Sequence, residues 1–175
     1  MALKSFKTNT LNGVSDINGL VLVNSTSFSA VSTQSFDNVF TSTYLSYKII
    51  GQVTASTTGL LSFRMRASGT DNSSTDYAYS QYGAGSANQS SQSVAIFSAT
   101  TSNRLCTFDA TMQQPELNDE TFYQCLSSNE IGTDNFLGYG WNGGVDISTR
   151  YDGFTLIPSG GGTISGTVKI YGLKD

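Results

Sequence analysis

Glu116, Glu120 and Glu130 fall within fifteen residues, with Asp109 and Asp119 close by. Facing carboxylates are the machinery of glycoside hydrolysis, in which two acids stand across the scissile bond. No spacing marks a pair among these five, and acids on solvated loops have the same composition, so no catalytic residue is assigned. The chain has no histidine. That excludes Ser-His-Asp and Cys-His triads, histidine zinc sites and an imidazole general base. The expectation is a protein that is not an enzyme.

Asp71-Asn72-Ser73-Ser74-Thr75-Asp76 sets oxygen ligands at alternate positions, as a calcium loop does. It lacks the central glycine and terminal glutamate of an EF-hand, and Asx-rich turns between strands have the same make-up. The glycines Gly160, Gly161 and Gly162 have no P-loop lysine beside them and read as a turn. No metal and no cofactor is assigned. Cys106 shares a face with Phe108, Ala110 and Met112, which suits a buried free thiol; a bridge to Cys125 needs the two strands to be neighbours.

Two aromatic groups stand out: Tyr77, Tyr79 and Tyr82 after the Asx-rich turn, and Tyr139 with Trp141 in a glycine-rich stretch. Tyr77 and Tyr79 share a parity and so one strand face. Exposed Tyr and Trp suit sugar or protein recognition, while aromatics on strands also serve as core or subunit contacts. These five are the candidate recognition or interface residues. Residues 1–19 show no core pattern; Leu3 and Phe6 beside Lys4 and Lys7 read as an arm that inserts into a partner's groove, the lysines meeting an acidic surface.

The elements that position these groups are strands. Of 175 residues, 47 are Ser or Thr, only five are Lys and three Glu, and 13% are charged, so helix-surface residues are scarce. Leu61 to Ser68 alternates apolar and polar, one buried face and one wet one. Further runs follow at intervals of about ten residues: Leu20 to Val23, Ser27 to Val31, Asp37 to Phe40, Leu45 to Thr54, Asp76 to Tyr82, Ser93 to Ala99, Arg104 to Met112, Thr121 to Leu126, Val145 to Tyr151, Gly153 to Ile157 and Thr163 to Tyr171. The last two, separated by Pro158 to Gly162, predict a hairpin. In the final run Ile164, Val168 and Ile170 share one face. Ser68 to Asn72 and Gly140 to Gly144 read as bends, and Pro115 to Glu120 as at most one or two helical turns. The expected fold is all-β, a jelly-roll-like antiparallel sandwich over 20–175 preceded by the arm.

A net charge of −4 and a pI near 4.6 argue against nucleic acid as a partner. No run of 18 apolar residues is present, and no apolar region follows Lys4 and Lys7, so neither a membrane span nor a signal peptide is expected.

Asn24 to Val31, Phe36 to Tyr44, Tyr47 to Ile50, Arg64 to Asn72, Asp152 to Gly160 and Tyr171-Gly172 together resemble small β-rich virion proteins of tailed bacteriophages. The likeness covers roughly 20–80 and 150–173 and leaves 84–149 unmatched. It implies a jelly-roll module on the virion surface, made in the host cytoplasm, often trimeric, acting as head decoration, head fibre or tail fibre and contacting other capsid or tail proteins. It brings no catalytic motif. A receptor- or carbohydrate-binding module working through the aromatics, with a host surface glycan as ligand, is the alternative.

Overall fold

The computed structural model describes residues 19–83 and 87–174; the arm residues Leu3, Lys4, Phe6 and Lys7 lie outside them. Among the described residues there are thirteen strands: β1 (Gly19–Val31), β2 (Gln34–Phe36), β3 (Ser46–Ala55), β4 (Gly59–Ala67), β5 (Thr70–Asp71), β6 (Tyr77–Gly83), β7 (Ala87–Gln92), β8 (Ala95–Thr100), β9 (Leu105–Gln113), β10 (Thr121–Gly132), β11 (Asn135–Val145), β12 (Gly153–Pro158) and β13 (Ile164–Lys174). The chain is all-β, as its composition predicts. A large sheet runs β1-β13-β3-β9-β10-β11-β6-β7 and a smaller one β2-β12-β4-β5, with β8 also paired to β4. Every pairing is antiparallel.

The two sheets close on a core of alternating residues. From the large sheet come Tyr47, Ile49 and Val53, then Cys106, Phe108, Ala110 and Met112, then Val168 and Ile170, all buried. The small sheet supplies Leu61, Phe63, Met65, Phe97, Phe154 and Leu156. Phe97 stacks on Phe63 at 4.2 Å and on Phe108 at 4.8 Å between ring centroids, joining the layers through offset aromatic contact. Space for the Phe108 ring comes from Gly51, where a β-carbon would sit 2.2 Å from it. Ser62 is buried too, so β4 is covered on both faces at that position, while Leu60, Arg64 and Arg66 on the same face are half-buried.

Several sequence expectations are corrected. Leu20 to Val23 and Ser27 to Val31 are one strand, interrupted by register shifts at Leu22/Asn24 and Phe28/Val31. Bulges bend a strand without ending it, and the polar residues between the two apolar runs sit at the first of them. Asp37 to Phe40 is not a strand. Asn38 has φ 56° and the Val39 and Phe40 amides both donate to Asp152 O, so the backbone is satisfied by a loop. Beyond Val145 the segment to Tyr151 is also irregular.

Gly140 to Gly144 is not a bend; it lies inside β11, whose backbone is paired on both sides by β10 and β6. β12 and β13 do not form a hairpin. The first pairs β2 and β4 and the second β1 and β3, so Pro158 to Gly162 turns the chain from one sheet to the other, through Gly161 and Gly162 at φ 66° and 91°. Pro115 to Glu120 is a non-helical turn, begun by a 3.2 Å bond from Leu117 N to Gln114 O.

Candidate functional site

Three stretches far apart in the sequence, Phe36 to Tyr44, Arg64 to Asn72 and Asp152 to Gly160, meet at Arg66. Its Nε donates to Asp37 Oδ1 at 2.7 Å, one terminal nitrogen to Asp71 Oδ1 and to Thr155 Oγ1, and the other to Gly69 O. Asp152 N donates to Arg66 O at 3.0 Å, and Ser68 N to Asp152 Oδ2 at 2.9 Å. Ser68 and Gly69, both at positive φ, make the tight turn that brings Asp71 back to Arg66. Gly153 is where Phe36 O approaches, 2.0 Å from the place of a β-carbon. Burial works against the Arg66 charge, and Asp37 and Asp71 more than offset it, so the guanidinium holds its proton above its ordinary range. Phe36-Asp37-Asn38, Arg64 to Asn72 and Asp152-Gly153 therefore form one architectural knot at the rim of the small sheet.

The acids considered for catalysis lie at three separate places in the chain. Asp109 pairs with Lys48 at 2.7 Å and Glu130 with Arg104 at 2.6 Å, while Glu116, Asp119 and Glu120 lie on the turn between β9 and β10. In the Asx-rich loop the oxygens bond inward: Tyr77 Oη donates to Asn72 O, Asn72 Nδ2 to Tyr151 Oη, and Ser74 Oγ contacts both Asn72 Oδ1 and Asp76 Oδ2. Among the described residues no group of three or more Asp, Glu or Cys is placed to hold a metal. Cys106 and Cys125 are both free and buried. Their strands are neighbours, but Cys125 pairs with Ala110 and Cys106 with Asn129. Four register steps are about 13 Å at ~3.3 Å per residue, well past disulfide reach.

The aromatic candidates divide by face. Tyr77 and Trp141 are buried, and Tyr79 and Tyr139 pack against the same core, each with its ring centroid 6.0 Å from that of Trp141. Tyr77 and Trp141 are thus core residues and cannot serve as a recognition or subunit surface. Tyr82, of opposite parity, is 59% exposed on the outer face of the large sheet.

That outer face carries a trough along β11. Its floor is the outward row Gly138, Gly140, Asn142 and Gly144, and β10 and β6 form the walls. Tyr82 and Leu126 flank Gly140, standing 3.6 and 3.7 Å from the place of its β-carbon. Three adjoining hollows of about 560, 460 and 630 Å³ follow one another along the row. The first two share Gln124 and Asn142; the second and third share Tyr82, Leu126 and Gly140. Leu126 is 72% and Phe122 49% exposed, an apolar display that the core has not absorbed. Asn142 Oδ1 is enclosed with no hydrogen-bond partner among the described residues.

Sequence reasoning found Tyr82 and missed Phe122, Gln124, Leu126 and the glycine floor. The available signal was alternation: Gly138, Gly140 and Gly144 interleave with Tyr139, Trp141 and Val145, small residues outward and large ones inward.

Comparison with family models, curated proteins and solved structures finds no match for this chain.

Proposed function

We propose that the chain is a non-enzymatic structural protein of a phage virion, displayed on the particle surface as a head decoration, head-fibre or tail-fibre module. It is anchored to capsid or tail proteins through its N-terminal arm and assembled as a homotrimer, with jelly-roll-like winding of its strands. The observation that supports this reading is the closure of three of the resemblance-bearing segments on Arg66. Residues far apart in sequence share one structural task there, which supports reading those segments together as one motif.

The trimer contact is not Tyr77. The β1 edge is a better surface: it has thirteen residues without a charge, and Leu20, Val21 and Leu22 are exposed. Long uncharged edges invite pairing unless something covers them. The second reading, a receptor- or carbohydrate-binding module, is favoured by the trough beside β11.

A chain beginning at Gly19 tests the anchor. It is expected to unfold cooperatively with a Tm close to that of the full chain, because it keeps β1 and every buried core residue from Phe36 onward, yet to be missing from purified particles that incorporate the full chain. Insolubility of the shortened chain, or its normal incorporation, would overturn the anchoring role.

A further inference from the structure

We infer that the trough along β11 binds a neutral oligosaccharide lying parallel to the strand, an inference that rests on the recognition reading of this surface. Six steps separate Gly138 from Gly144, about 20 Å at ~3.3 Å per residue, the length of a short sugar chain. With no side chains at three floor positions, a ligand can reach the backbone surface between the walls. Tyr82 and Phe122 offer planar apolar surfaces of the kind that the C–H faces of pyranose rings cover. Gln124, Asn142, Thr111 and Ser80 supply donors and acceptors that hydroxyl groups can match.

Charge narrows the ligand class. Lys48 and Asp109 beside the trough neutralise each other at 2.7 Å, and Glu120 and Asp146 border its Gly144 end, so nothing there selects a phosphate, a nucleic acid or an acidic peptide. The backbone argues against a peptide strand as well. From Tyr139 to Val145 the strand is paired to β10 on one side and β6 on the other, so strand addition has no free ladder along that stretch. A sugar needs none. Asn142 Oδ1 lacks a partner among the described residues, and rotation of its terminal amide, a soft torsion, would let a ligand hydroxyl donate to it.

The test is calorimetric titration of the full chain with a panel of neutral oligosaccharides: gluco-, galacto-, manno- and N-acetylglucosamine-based. Oligogalacturonate serves as the acidic control. At least one neutral member is expected to bind, and the acidic control to bind more weakly. Tyr82→Ala and Gly138→Phe should each weaken that binding at least tenfold. A β-carbon at Gly138 meets only Ser127 O, at 4.0 Å, and Tyr82 lies outside the core, so both variants should keep the melting curve of the parent. Failure of the whole panel to bind, or binding unaffected by both variants, overturns the inference. Self-association abolished by Gly138→Phe, without sugar binding, would instead assign the trough to a second copy. Incorporation of the same variants into particles is read in parallel: a chain that joins particles but binds no sugar refutes the trough and leaves the virion reading standing.

Discussion

Replacing Arg66 with alanine is expected to lower the unfolding free energy by about 2 kcal/mol, between the small worth of an exposed ion pair and the larger cost of stranding a fully buried charge. The Arg66 side chain is only 13% exposed, and its removal leaves Asp71 facing Asp37 with the intervening cation gone. Gly69 O and Thr155 Oγ1 each lose a donor as well. Asp37→Asn should cost less, about 1 kcal/mol, because Asp37 is half-exposed and the Asp71 contact survives. Urea unfolding of the three proteins at neutral pH measures this. An Arg66→Ala midpoint equal to that of the parent would show that the knot is ornamental and would remove the observation offered in support of the virion proposal.

The second large effect is loss of stability in alkali. Burial raises the Cys106 thiol from 9.0 to about 11 and pushes Cys125 higher still. Burial likewise raises the phenols of Tyr77 and Tyr123 above their ordinary 10.0. Each group binds its proton more tightly folded than unfolded. Its contribution is therefore full below the unfolded value and drains away as pH climbs toward the folded one. The slope is about 1.4 kcal/mol per pH unit for each group. The two thiols together then remove roughly 4 kcal/mol by pH 10.5, with the tyrosines joining above pH 10. Equilibrium unfolding from pH 8 to 11 should show a plateau that ends near 9. In the Cys106→Ala, Cys125→Ala protein the plateau should extend to about 10, where the tyrosines take over. A flat profile in the parent to pH 10.5 would contradict the burial of these groups.

How much of this was legible depended on which neighbour each residue met. Ile164, Val168 and Ile170 alternate cleanly and are all buried, and so are Cys106, Phe108, Ala110 and Met112. These strands have one apolar face, and period two reports it directly. In β10 the signal is confounded, because Tyr123 and Cys125 go inward while Phe122 and Leu126 go outward. A strand apolar on both faces does not reveal which one faces solvent. β7, Ala-Asn-Gln-Ser-Ser-Gln, has no such pattern; its pairing with β6 is what makes it a strand. Pro158 to Gly162 turns a chain equally well within a sheet or between sheets, so local chemistry gave the turn and not its destination. The trough was hidden for a related reason. Its floor is defined by side chains that are missing, and its walls by residues more than forty positions apart, Tyr82 and Leu126 among them.

The central claim, that this chain is an exposed component of a phage particle, is tested most directly by electron microscopy of intact, gradient-purified virions labelled with an antibody against the folded sandwich. The account predicts gold at defined, repeated positions on the outside of the head or along the tail fibres, with the label lost when the antibody is pre-incubated with purified protein. Absence of the chain from purified particles, or labelling only after they are broken open, would contradict it.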